Sequence, residues 1–186
     1  MSALRRAFLA VVPPPEVLDA VDRLLERSKS SRFVWTKREQ WHVTMQFVGR
    51  VGDPDALIAA LAPAIGAFRT LPIRLRGGGA FTAPQKARVF WLGVEGEDGL
   101  ADLHGELMEA AGAFISGRDR VAFRAHLTLA RLKRPTDLRP DVEALSGVAV
   151  GPQWTATEVV LFESETKRSG AVYSEIARLP LAVPAP

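Results

Sequence analysis

No cysteine occurs in the 186 residues. That excludes disulfides, thiolate nucleophiles and every zinc or iron–sulfur site built on cysteine. Histidine is scarce, with three copies, so acid–base chemistry near neutral pH has few places to reside. Long apolar runs are missing as well, and no stretch approaches the roughly 18 residues that a membrane-spanning helix needs. Arginines precede the short apolar run Ala7 to Val12, but that run is too short for a secretory leader and Pro13, Pro14 and Pro15 follow at once. Neither sign of charge dominates: 24 Lys and Arg against 21 Asp and Glu leave a net +3. This mildly basic balance suits an anionic ligand without by itself making a nucleic-acid binder. Arginine favours bidentate phosphate contacts over diffuse charge. Length and a 47% hydrophobic content suit a single soluble domain. A cytoplasmic monomer without membrane contact is the expectation.

What the chain does contain is a repeated motif. Trp41-His42-Val43-Thr44-Met45-Gln46-Phe47 is echoed by Ala125-His126-Leu127-Thr128-Leu129-Ala130-Arg131. Both read His, apolar, Thr, apolar. In a strand, successive side chains alternate between faces, so His42 and Thr44 share one face while Val43, Met45 and Phe47 share the other. By the same parity Gln46 faces with His42. His126 and Thr128 likewise lie opposite the apolar Leu127 and Leu129. Arg131 stands five residues past His126, so plain alternation turns it away; it reaches the histidine face only if the strand bulges or ends.

The rest of the chain frames these strands. Leu4 to Val12 reads as a buried strand, and the prolines open a helix on Val17, Val21, Leu24 and Leu25 that runs to about Ser28. Asp53-Pro54 caps a second helix with Leu57, Ile58, Leu61, Ile65 and Phe68 on its inner face. Leu71 to Leu75 is a strand, Gly77 to Gly79 a flexible junction and Thr82 to Ala87 a turn. Val89 to Val94 is a strand, Gly99 to about Phe114 a helix, and Arg120 to Phe123 leads into the second motif strand, ending near Leu132. Leu138 to Leu145 is a short helix. Val159 to Phe162 and Val172 to Leu179 are the last strands, joined by the turn Glu163 to Gly170. Residues 1–181 form one domain and 182–186 a tail.

Phe8 stands 34 residues before His42, and Phe90 stands 36 before His126. A period of 82 to 84 residues is too long for a solenoid. It predicts two similar lobes about a pseudo-two-fold axis, each lending one His-x-Thr strand to a shared cleft.

Three readings compete for the motif. A lone strand histidine is usually structural, but matched Thr, matched flanks and matched places in a repeat make coincidence hard to sustain. A catalytic zinc needs a third protein ligand, and neither motif carries a carboxylate at ligand spacing. His104 lies on a helix remote from both and reads as structural or solvent-exposed. The third reading is an acid–base pair: one neutral imidazole takes a proton while one imidazolium gives one, with the Thr hydroxyls holding the phosphate oxygens. Two independent histidines of pKa about 6.5 reach that state at most about a quarter of the time. Repulsion between two imidazolium ions splits their titrations and widens the window, so a bell-shaped rate profile is expected. Phe8 is a core residue or a platform for stacking a base, and Trp35 and Trp41 pose the same choice. Lys167 and Arg168 sit in a turn, solvated or in contact with RNA phosphates.

These residues resemble the two-histidine (2H) phosphoesterases, and within them the RNA 2′,3′-cyclic phosphodiesterases, also named 2′-5′ RNA ligases. The resemblance spans nearly the whole chain: Arg6 to Ala10 before the prolines, Trp41 to Gly49, His126 to Arg131, Arg88 to Gly93 and Leu161 to Ser164. Val43, Met45 and Gln46 stand where that family more often has leucine-rich choices. The resemblance implies a bilobal α+β fold with antiparallel sheets flanking a central cleft. It implies metal-free, cofactor-free hydrolysis of a 2′,3′-cyclic phosphate at an RNA end to a 2′-phosphate, tRNA fragments among the substrates. His42 would be the general acid and His126 the general base, with Thr44, Thr128 and Arg131 on the phosphate. The reverse reaction, 2′-5′ joining, gives the family its other name. A phosphodiesterase for small cyclic nucleotides and a non-catalytic RNA-binding module are the alternatives.

Overall fold

The structure is a computed structural model and describes residues 1–27, 31–115, 122–168 and 170–183. The expected helix end at Ser28, the lead-in from Arg120 and the last residues of the tail lie outside them. Among the described residues, nine strands and four helices follow in order: β1 (Leu4–Val11), α1 (Pro15–Glu26), β2 (Val34–Trp35), β3 (Val43–Val51), α2 (Pro54–Ala67), β4 (Leu71–Phe81), β5 (Ala87–Glu95), α3 (Glu97–Ala110), β6 (His126–Thr136), α4 (Arg139–Ala144), β7 (Ala149–Ala156), β8 (Glu158–Lys167) and β9 (Gly170–Pro180). The strand order is β7-β4-β5-β6-β3-β1-β8-β9, with β2 beside β6. All the pairings between these strands are antiparallel.

The order is symmetric about its centre. β3 and β6 meet at a single residue pair, Val43 opposite Leu127, so two antiparallel four-stranded sheets join there into one curled surface. The expected α+β architecture of two pseudo-symmetric lobes is what the chain adopts. The lobes also exchange parts. β4, which follows the first half's α2, pairs with β5 of the second half, while β8, which follows α4, pairs with β1 of the first. Helices cross over in the same way, α1 packing on β7 and α3 on β3.

Local chemistry explains the helices. Pro15 starts α1 where no backbone donor is needed, and Val17 and Val21 bury its inner face. Asp53 accepts a hydrogen bond from the Ala56 amide at 3.0 Å, the capping expected of it. Leu57, Leu61 and Ile65 of α2 and Leu100, Leu103 and Leu107 of α3 are fully buried. Each such side chain stabilises the fold by roughly 2 kcal/mol. Among the described residues, no helix is long and apolar enough to cross a membrane.

Besides β6 running on to Thr136 rather than ending near Leu132, the strands and helices depart from expectation in four places. β7 has no counterpart among the expected strands; it is an edge strand with a bulge, where Pro152 and the positive-φ Gly151 are tolerated. β8 runs on to Lys167 and β9 starts at Gly170, so the expected polar turn from Glu163 is mostly paired strand. α3 occupies Glu97–Ala110 rather than Gly99 to Phe114. Gly77 to Gly79 is not a flexible junction: it lies within β4, with Gly78 and Gly79 paired with β5 and Gly77 in a register irregularity beside them. Gly77 supplies a positive φ of 74°, and the other two glycines are there for space. A Cβ at Gly79 would come within 2.0 Å of the Trp91 ring.

That close approach matters to the site, because the Trp91 ring lies 5.9 Å from that of His126. Gly79→Ala therefore displaces a ring that backs a site imidazole. We expect the variant to lose about 1–3 kcal/mol in denaturant unfolding.

Candidate active site

Continuing the β3–β6 register by one residue either way sets His42 level with Thr128 and Thr44 level with His126. The pseudo-two-fold axis passes through the Val43–Leu127 pair. Both motifs open onto one cleft of about 900 Å³, lined among others by His42, Thr44, His126, Thr128 and Arg131. Among the described residues its lining carries the cations Arg6, Lys37 and Arg131 and no carboxylate. Also among the described residues, no group of three or more His, Cys, Asp or Glu is placed to hold a metal ion.

The two imidazoles are anchored alike. His126 Nδ1 donates to the Arg124 carbonyl at 2.8 Å, and His42 hydrogen-bonds the Gln40 backbone, also two residues upstream. A carbonyl can only accept, so Nδ1 of His126 carries the proton and its Nε2 is left for chemistry. A neutral ring then offers a lone pair at Nε2, and a charged one offers an N–H. Thr44 Oγ1 lies within hydrogen-bond reach of His42 Nε2, at 3.0 Å.

Aromatic rings back each imidazole. Phe8 lies 4.9 Å from the His42 ring and Tyr173 meets it edge-on at 5.2 Å. Phe81 meets His126 edge-on at 4.9 Å. Burial against this layer is the main reason both histidines lose basicity. His42 is pushed down to about 4 by burial, with the charges of His126 and Arg131 pushing the same way and its bond to the Gln40 backbone opposing. His126 is also lowered, again by burial first; the Arg124 carbonyl and Glu97 oppose, and Arg131 and Arg124 add to the shift.

A bulge in each strand completes the site. β1 pairs Leu9 with Gln46 and Ala10 with Thr44, leaving Met45 as an extra residue. β5 pairs Phe90 with Ala130 and Trp91 with Thr128, leaving Leu129 extra in the equivalent position. Each bulge falls three residues after its histidine and reverses the alternation beyond it. Arg131 thereby reaches the cleft by a bulge, one of the routes that alternation left open to it.

The same reversal overturns two expectations in β3. Gln46 does not face the cleft: it is 5% exposed, and its Nε2 donates to the Phe47 carbonyl at 2.7 Å. Phe47 is not core: it lines the cleft at 61% exposure. Of the two readings of Phe8, core residue and stacking platform, the buried one holds. At 2% exposure beneath His42, Phe47, Phe162 and Tyr173, its ring is closed to an incoming base and serves as the floor of the site. Register equates Phe8 with Val89 rather than Phe90, since Phe8 pairs with Phe47 and Val89 with Arg131. Trp41 is buried, Trp35 lines the cleft, and Lys167 pairs with Glu165 at 3.3 Å on the hairpin.

The sequence profile of the 2′-5′ RNA ligase superfamily matches residues 13–168. The chain is 32% identical over 180 residues to the RNA 2′,3′-cyclic phosphodiesterase of Methanothermobacter thermautotrophicus, covering 92% of this chain and 96% of that protein. The chain belongs to the RNA 2′,3′-cyclic phosphodiesterase family of the 2H phosphoesterases. A Thermus thermophilus RNA 2′,3′-cyclic phosphodiesterase is also 32% identical, over 95% of this chain and 90% of its own. The crystal structure of TT0787 from Thermus thermophilus superposes with a TM-score of 0.72 at 27% identity, covering 95% of this chain and 97% of that one.

Within this phosphodiesterase fold, sequence reasoning passed over Arg6, Lys37, Phe47, Phe81 and Tyr173, all of which line the cleft. For Phe47 a signal existed. It stands five residues after His42 as Arg131 stands five after His126, so a bulge that rescues one must by symmetry turn the other. Tyr173 and Phe81 carry no such mark.

Proposed function

We propose that the cleft hydrolyses a 2′,3′-cyclic phosphate at an RNA end to a 2′-phosphate without a metal. The observation that carries this reading is the pair of imidazoles, each bonded to backbone two residues upstream, facing one cleft with three cations and no carboxylate in its described lining. In the proposed step His126 Nε2 takes a proton from water as its oxygen attacks phosphorus. The bond from phosphorus to O3′ breaks, and His42 Nε2 gives its proton to O3′. Thr44, Thr128 and Arg131 hold the non-bridging oxygens, where charge accumulates in the transition state. The same step with a 5′-hydroxyl attacking in place of water, the P–O3′ bond again breaking, is 2′-5′ joining.

A cleft of about 900 Å³ lies near the upper end of small-molecule sites, which supports an RNA end over a lone mononucleotide. Hydrolysis of a short RNA ending in a 2′,3′-cyclic phosphate, in excess EDTA with the product end mapped, tests the reading. Undiminished turnover to a 2′-phosphate is expected. Turnover abolished by EDTA overturns the metal-free mechanism. Binding of the RNA with no turnover favours an RNA-binding module.

A further inference from the structure

A strand bulge frees backbone groups from the ladder, so something outside the ladder must hold it in place. Here each bulged residue presents its carbonyl to a side chain from the other half of the repeat. The Leu129 carbonyl accepts from the Thr36 amide at 2.9 Å and from the Thr36 hydroxyl at 2.8 Å, that hydroxyl also lying 2.8 Å from the Thr128 carbonyl. The Met45 carbonyl accepts from His104 Nδ1 at 2.7 Å, and the His104 ring is stacked on Phe123 at 4.4 Å.

We infer that Thr36 and His104 are positioning residues that lock the two bulges and so fix the aim of Arg131 and Phe47 into the cleft. Relaxing either bulge into regular pairing shifts the register by one residue and sends the residue five past the histidine to the opposite face. Thr36 does more than cap. Its Oγ1 accepts from Trp41 Nε1 at 2.9 Å, and Trp41 is the buried residue directly before His42. One hydroxyl therefore ties the start of the first motif to the bulge of the second. His104 makes the reciprocal tie, from α3 of the second half to β3 of the first. The third histidine acts through its fixed N–H, present in the ring's neutral and charged forms alike.

The kinetic arm of the test rests on the phosphodiesterase reading; the crystallographic arm does not. Thr36→Val removes the hydroxyl at nearly constant shape, and Thr36→Ser restores it. On the RNA cyclic phosphate, Thr36→Val is expected to lose about tenfold in kcat/KM, and Thr36→Ser to recover most of it. In an Arg131→Ala background, Thr36→Val should cost no more than about twofold, because its effect passes through Arg131. Equal losses in both backgrounds overturn the inference for Thr36. Crystal structures of Thr36→Val and His104→Leu are expected to show displaced or disordered Arg131 and Phe47 respectively, with His104→Asn restoring the wild-type strand. Unchanged bulges in both overturn the inference outright. Failure of the wild type to turn over would remove the phosphodiesterase reading and leave the crystal structures to decide this one.

Discussion

His42→Ala and His126→Ala should each lose about 10²- to 10⁴-fold in kcat on an RNA 2′,3′-cyclic phosphate, but a sulfur atom at the 3′ bridging position should rescue only one of them. The leaving group is what separates the two roles. An alkoxide must be protonated as it departs, whereas a thiolate, with a conjugate thiol near pKa 8.5, departs unaided. If His42 is the acid, His42→Ala recovers to within about tenfold of wild type on the sulfur substrate and His126→Ala stays depressed. The opposite rescue reverses the assignment, and rescue of neither sinks an acid role for either ring. The experiment has force because the surroundings of His42 lean the other way. His42 is the ring driven down to about 4, so at rest it is held neutral, as suits a base. For His42 to act as the acid, the substrate phosphate must raise its proton affinity on binding. A low-pKa imidazolium is scarce but a strong donor once formed, and that trade is what the sulfur substrate isolates.

Much of this site was legible because its chemistry is written as a short repeat. His42, Thr44, His126 and Thr128 follow from parity alone, and the match between halves predicts the facing lobes. The rest was hidden by events that parity does not encode. One extra residue at Met45 and one at Leu129 turn Phe47 and Arg131 into the cleft and Gln46 away from it. A bulge leaves no local composition mark here, because its support comes from Thr36 and His104, far off in sequence. The glycine run in β4 misled for a similar reason. Gly79 makes room for Trp91 and Gly78 for Leu145, so what reads locally as flexibility is largely a packing requirement set by residues distant in sequence. Edge strand β7 escaped because proline and glycine look the same in a bulged edge as in a loop.

Arg131→Met should lower kcat/KM by about 10²-fold and at the same time move its pH optimum upward. The magnitude is that of removing one preorganised charge from a developing oxyanion. The direction of the pH shift follows from linkage. The active enzyme carries one proton on the histidine pair, so the kcat/KM bell lies between the two macroscopic pKa values of the free site. Burial lowers both histidines below 6.5 in the wild type, which puts the maximum of that bell on the acid side of 6.5. The Arg131 cation pushes both rings down further, so removing it raises both values and carries the bell toward alkaline pH. The bell for kcat should already lie higher than that for kcat/KM, since a bound phosphate anion favours both imidazolium forms. A wild-type kcat/KM optimum above 6.5 would mean that burial does not govern the pair. A rate loss in Arg131→Met with an unmoved bell would mean that the guanidinium contacts substrate while its field is screened from the imidazoles. Loss and shift together place one charge in both roles: it stabilises the transition state and sets the pH at which the histidines can serve it.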